Sequence, residues 1–386
     1  MHYDFDAPID RRGTGSIKHD FLLEKGMPAD ILPMWVADMD FAAPPEVLDE
    51  LQQAVSRGVF GYTKPKCSYY NAVLDWFGSR YGYRAEADDI VQTPGVVCAL
   101  AESVRAFTDP GAAVMVQPPV YYPFYDVILR NNRKLVTNPL LYSNGRYSID
   151  FQDFERKATE QDVRMFILCS PHNPVGRVWT RSELERLGEV CQRLGVLVVA
   201  DEIHCDFAWP NHPHTCFGLL DDEAVIATAP SKTFNLAGLQ VANVFVKNSG
   251  LRSKLCAEAG RNGLGQPNLL GLLACQSSYS KGGQWLDALR SYLLDNIALL
   301  RQFLTERLPR IKLVEPEGTY LAWLDFTDFG LSQASIDRRL RDGAKLWLNS
   351  GTMFGPEGQG FQRINIACSR SVLREALTRL EKEFAG

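Results

Sequence analysis

Ser231-Lys232-Thr233-Phe234-Asn235-Leu236-Ala237-Gly238-Leu239-Gln240 follows the apolar run Val225-Ile226-Ala227-Thr228-Ala229. The order places a lysine where a buried strand gives way to a loop. A lysine so placed is partly desolvated, which lowers its pKa and frees a neutral amine for Schiff-base chemistry. The alternative is an ordinary solvated lysine. Upstream, the continuous apolar run Val196-Leu197-Val198-Val199-Ala200 leads directly into Asp201-Glu202-Ile203-His204. Such a run fits a strand buried on both faces of a parallel sheet, and ligands bind at the C-terminal ends of such strands. A carboxylate and an amine then meet at one rim of the sheet. One cofactor ring carrying a basic nitrogen and an aldehyde needs that pairing, although two such groups can also form a structural ion pair.

Further runs continue the pattern outward. Ala113-Val114-Met115-Val116, Met165-Phe166-Ile167-Leu168 and Val244-Phe245-Val246 read as strands, and several of the stretches between them read as helices. This alternation predicts a parallel, helix-covered α/β sheet. Ala43-Pro44-Pro45-Glu46 reads as the entry to a helix through Val55. Pro94-Gly95-Val96-Val97 precedes a helix-like stretch from Cys98 to Phe107, and a glycine at a helix N-terminus exposes backbone N–H groups that suit a phosphate. Residues 251–308 look mostly helical, with Leu286, Leu289, Leu293, Ile297 and Leu300 at helical spacing. Beyond them lie a strand at 320–324, a helix at 335–340, a strand at 363–367 and a final helix at 372–384.

Four segments in order then carry a resemblance. Ser170-Pro171-His172-Asn173-Pro174-Val175-Gly176, Asp201-Glu202-Ile203-His204, Ser231 to Asn235, and Arg363-Ile364-Asn365-Ile366-Ala367-Cys368 resemble the ordered signature of the class I/II aminotransferase superfamily of pyridoxal-phosphate enzymes. Leu32-Pro33-Met34-Trp35-Val36-Ala37-Asp38-Met39-Asp40-Phe41, Gly61-Tyr62-Thr63 and Pro94-Gly95-Val96-Val97 narrow it to the MalY/PatB-type cystathionine β-lyases.

The resemblance implies fold type I, a mostly parallel sheet with helices on both faces in a large domain, residues 46–280. A smaller α+β domain would take residues 1–45 and 281–386. It also implies pyridoxal 5'-phosphate, with Lys232, Asp201 and Tyr121 as catalytic residues. Gly95, Val96, Val97, Asn173, Ile203, His204 and Ser231 would join them in holding the cofactor, Tyr121 and Ile203 on the two faces of its ring and Asn173 and His204 on its phenolic oxygen. Tyr62 would reach the phosphate of a neighbouring subunit, which makes the protein a homodimer with shared sites. Arg363, Tyr122, Asn173 and Trp35 would bind an amino-acid substrate, Arg363 through the α-carboxylate. His204 stands where many aminotransferases carry tyrosine and Gln240 where they often carry arginine, which favours the lyase branch.

The expected reaction is β-elimination from cystathionine or another S-substituted cysteine, giving thiol, ammonia and pyruvate. The alternatives are an aminotransferase and a regulatory protein that binds the cofactor and works through a protein partner. Trp347, ahead of the turn Asn349-Ser350-Gly351, is expected to narrow the space for the leaving group.

Composition sets the outer limits. The chain has 386 residues, 46% hydrophobic and 23% charged, which suffices for two domains. A formal charge of -5 argues against nucleic acid or an anionic membrane as the main partner. No run approaches the ~18 apolar residues of a membrane helix, and residues 1–16 carry no apolar core of a secretory signal. The nine cysteines lack a Cys-x-x-Cys spacing and lie scattered, as free thiols of a cytoplasmic protein do. His212, His214 and Cys216 are expected in a surface loop rather than on a metal.

Overall fold

The computed structural model describes residues 3–385. In chain order the first elements are β1 (Leu32–Pro33), α1 (Pro45–Ser56), α2 (Cys67–Tyr81), β2 (Ile90–Thr93), α3 (Val96–Phe107), β3 (Ala113–Val116), α4 (Pro123–Leu129) and β4 (Lys134–Thr137). Next come β5 (Leu141–Ser143), β6 (Arg146–Ser148), α5 (Phe151–Glu160), β7 (Val163–Cys169), α6 (Arg181–Leu194), β8 (Leu197–Asp201), β9 (Val225–Thr228), α7 (Pro230–Thr233) and β10 (Ala242–Val246). The C-terminal third holds α8 (Ser249–Arg261), α9 (Leu269–Lys281), α10 (Gly283–Arg307), β11 (Lys312–Val314), β12 (Leu321–Asp325) and α11 (Gln333–Arg338). It ends with β13 (Leu346–Trp347), β14 (Asn349–Ser350), β15 (Phe361–Asn365) and α12 (Arg370–Phe384).

Seven strands form the main sheet in the order β2-β10-β9-β8-β7-β3-β4. Side chains alternate between its faces, and both faces are buried. Val114, Val116, Met165, Ile167, Val199 and Val244 pack with α3, α4 and α8 on one side. Met115, Phe166, Leu168, Val198, Ala200 and Phe245 pack on the other, in the core that includes α2, α5, α6, α9 and α10. This period of two explains why each strand reads as an unbroken apolar run.

The sheet departs from the expected parallel arrangement at one edge. β9 runs parallel to β8, but β10 is antiparallel to both β9 and β2. The cause lies in the connection. Between β9 and β10 the chain forms only α7 and a single 3-10 turn, Ala237–Leu239. With no crossover helix to carry it back, it must re-enter the sheet from the end it left.

A second, antiparallel sheet has the order β11-β12-β15-β14. The segment before α1, otherwise irregular, joins the C-terminal part through β1, which pairs in parallel with β13 as Leu32↔Leu346. From there residues 34–41 bond to both parts of the chain: the Met34 and Asp40 N–H groups donate to the Trp347 and Ala367 carbonyls, and the Met39 N–H donates to Asn235 Oδ1.

Candidate active site

The C-terminal ends of β7, β8 and β9 are in register, with Cys169 beside Asp201 and Asp201 beside Ala227. Each loop that follows therefore starts from the same rim. It is where the signature segments meet.

Lys232 lies in the one-turn helix α7 rather than in the expected loop. Ala229 is extended, Pro230 at the first helical position presets its φ, and the turn closes with the Phe234 N–H donating to the Pro230 carbonyl at 2.9 Å. Asn235 then adopts a left-handed φ of 58°, which asparagine tolerates, and ends the turn. The Lys232 amine donates to the Ala37 carbonyl at 2.7 Å. Burial lowers its pKa to about 8, against the opposing pull of Asp38 and Asp201. A useful fraction of neutral amine therefore exists near neutral pH.

Asp201 ends β8 with its carboxylate buried, accepting one hydrogen bond from the Ile203 N–H at 3.1 Å. Burial raises its pKa to about 7. A cation set against it would restore its charge. His204 is buried with Nδ1 unpartnered, and burial, then the nearby Lys232 and Arg363, keeps the ring neutral.

These groups line a cavity of about 350 Å³ together with Gly95, Val96, Val97, Tyr121, Asn173, Ile203 and Ser231. Cys98, Cys169, Ala237 and Gln240 complete much of the wall. Gly95 caps α3 with no side-chain acceptor, so the first N–H groups of this twelve-residue helix stay free at the cavity. Thr93 Oγ1 donates to the Gly95 carbonyl at 3.1 Å and fixes that turn.

Arg363, on β15, is buried. It donates to Asn173 Oδ1 at 2.8 Å, to Asn349 Oδ1 at 2.6 Å and to the Trp35 carbonyl at 3.1 Å, while Nε has no partner. Among the described residues no carboxylate forms an ion pair with it. Burial lowers its pKa to about 10, so it stays charged at neutral pH. A buried cation held only by neutral oxygens is matched to an anion supplied from outside.

The remaining candidates sit at different depths. Trp35 contributes its carbonyl to Arg363, while its ring stacks on Trp347 at 4.2 Å and 18°. Neither ring lines the cavity, so Trp347 does not face it directly as expected. Tyr122 packs on Tyr121 and on Phe354, whose ring also carries the Arg363 guanidinium. Tyr62 stands 94% exposed beside Pro267 and Asn268, outside its own chain's cavity.

The stretch from His212 to Cys216 is not simply a surface loop. Cys216 is buried, and the His214 side chain is 1% exposed with Nε2 3.0 Å from Glu202 Oε2. Glu202 is itself fully buried and must be satisfied. The Phe217 N–H donates to its other oxygen at 2.7 Å.

Sequence reading missed the backbone of residues 35–41 as a site element. The Ala37 carbonyl also accepts from the Tyr320 hydroxyl at 3.1 Å. Asn235 holds Met39 at both N–H and carbonyl, and Asn365 donates to the Val36 and Asp38 carbonyls. The signal was the presence of Asn235 and Asn365 inside two of the signature segments.

The cofactor implied by the resemblance fits these observations. It needs an amine for its aldehyde, a buried carboxylate for its ring nitrogen and free N–H groups for its phosphate. The unpartnered His204 Nδ1 lies on the same wall.

A model of the family described as aminotransferase class I and II matches residues 29–380. The chain is 44% identical over 382 residues to cystathionine beta-lyase PatB of Bacillus subtilis, covering 98% of this chain and 99% of that protein. It is 34% identical to protein MalY of Escherichia coli, over 100% of this chain and 97% of the other. Among solved structures, the pyridoxal-phosphate-bound C-S lyase from Staphylococcus hominis superimposes with a TM-score of 0.93 at 32% identity, over 100% of this chain and 99% of that one.

Proposed function

The chain belongs to the class I and II aminotransferase family, and from that premise we propose that it is a pyridoxal-phosphate-dependent carbon–sulfur β-lyase. It cleaves cystathionine or another S-substituted cysteine, with water, to a thiol, ammonia and pyruvate. One observation carries the reading: a desolvated amine, Lys232, and a buried carboxylate, Asp201, on a single cavity. The names borne by the similar proteins support the lyase over the transaminase.

When bound, pyridoxal phosphate supplies an aldehyde for the protein amine and a ring that accepts the electrons left at Cα. Lys232 would hold it through Nζ, and the same Nζ, once free, would take the α-proton of the bound substrate. Asp201 keeps the ring nitrogen protonated. Asn173, whose amide oxygen already accepts from Arg363, offers its NH₂ to the phenolic oxygen, and His204 offers its free Nδ1 edge. The N–H groups at the start of α3 and the Ser231 hydroxyl would hold the phosphate, and Tyr121 and Ile203 would pack on the ring. Arg363 binds the substrate carboxylate and so fixes the Cα–H bond toward Lys232.

The same proposal includes a large unit at 46–280 and a small unit made of 1–45 and 281–386, for which the β1–β13 pairing is the support. A second copy supplies Tyr62, which fits its exposure on the single chain. No helix among the described residues is long and apolar enough to cross a membrane. Buried free thiols such as Cys169, Cys191 and Cys275 suit the cytoplasm.

Elimination and transamination share their first steps and then separate. Elimination expels the Cβ substituent, whereas transamination needs a keto-acid acceptor. Cystathionine supplied without keto acid is expected to give pyruvate and free thiol in equal amounts over many turnovers. A single turnover that resumes only on adding a keto acid would identify an aminotransferase.

Trp347 acts on this reading through Trp35, on whose ring it stacks and whose carbonyl accepts from Arg363. Trp347→Ala is expected to broaden acceptance of bulky S-conjugates. Identical relative kcat/KM values across a size series would assign it to packing alone.

A further inference from the structure

The loop 11–20 touches no part of the cavity, yet it delivers two cations to the segment that holds Lys232. Asp20 accepts from the Gly13 and Ser16 N–H groups at 2.8 and 2.9 Å and folds that loop on itself. Arg11 then reaches Asp38 at 2.6 Å and Asp40 at 2.9 Å. Lys18, its side chain 1% exposed, reaches Asp40 at 2.7 Å and Asp38 at 4.0 Å. A buried lysine is retained only where its partner is fixed. The paired carboxylates flank Met39, and Asp38 directly follows Ala37, whose carbonyl accepts the Lys232 amine.

We propose, resting on the lyase reading above, that Arg11 and Lys18 are positioning residues for Lys232. By neutralising Asp38 and Asp40 they hold the Ala37 carbonyl on the amine and set the charge that Asp38 presents to it. The groups that face Lys232 are Asp38 from this segment, Asp201 and His204 from the end of β8, and Arg363 from β15, with Tyr320 sharing the carbonyl. Those that face Lys18 and Arg11 are Asp38, Asp40, His19 and the Cys368 thiol. Asp38 favours the protonated amine, opposing burial. Deleting a cation beside Asp38 therefore strengthens that pull, and deleting the Asp38 charge removes it.

The test uses full-length protein stripped of cofactor and follows the rate at which added pyridoxal phosphate is captured on Lys232, by absorbance, across a pH series. Lys18→Met is expected to move the midpoint up by about half a pH unit or more, with Lys18→Arg returning it toward wild type. At neutral pH the same shift slows capture roughly threefold. Asp38→Asn is expected to move the midpoint down. Opposite signs are the signature, because a loosened fold would shift both variants alike. If Lys18→Met does not accumulate folded, Asp38→Asn decides alone, and an unmoved midpoint overturns the inference. So do equal shifts in both variants. Wild-type protein that captures nothing on Lys232 overturns the lyase reading and this inference with it, whereas normal wild-type capture with unmoved variants overturns this inference alone.

Discussion

Lys232→Ala is expected to lower kcat/KM for S-substituted cysteines by about 10⁴-fold or more, because one side chain both anchors the cofactor and takes the α-proton. No other lysine lines the cavity among the described residues. The fold should tolerate the change. Lys232 makes one hydrogen bond, to the Ala37 carbonyl, and Tyr320 remains to satisfy that oxygen. Removing an amine that burial disfavours in its charged form also relieves a cost. Thermal unfolding of the cofactor-free variant should therefore match wild type, which separates lost chemistry from lost structure. Retention of more than about a hundredth of the activity would assign the proton transfer to another group.

Arg363→Ala is expected to act on binding, weakening substrate by about 2 kcal/mol or more, on the order of thirtyfold, through loss of a charge-assisted pair. Its position explains the size. The guanidinium is buried without an internal carboxylate, so the substrate anion is its sole full charge partner. Removing it also leaves Asn173, Asn349 and the Trp35 carbonyl short of a donor, so Arg363→Lys is the control. Lysine keeps the charge but not the planar fork, and an intermediate loss is expected. An unchanged KM for amino-acid substrates in Arg363→Ala would reject the carboxylate clamp.

Much of this site was legible because its residues sit at strand ends. The apolar runs before Asp201 and before Lys232 mark strands covered on both faces, and the residue that follows such a run has only the rim of the sheet to occupy. Local pattern said less about direction. Val244-Phe245-Val246 reads as a buried strand whichever way it runs, and only the short connection after Lys232 makes β10 antiparallel. The part played by Ala37 was hidden for another reason. Its carbonyl does the work, and any residue carries one. Burial of His214 follows from Glu202 needing a partner, a tertiary demand that the polar stretch His212 to His214 does not display.

The central claim is that Lys232 is the amine that holds the cofactor. Borohydride reduction of the loaded protein, followed by peptide mapping, tests it most directly. The account predicts a stable pyridoxyl label on Lys232, in the peptide bearing Ser231 to Asn235, and none in Lys232→Ala. A label on any other lysine, or an undiminished label in the variant, would contradict it.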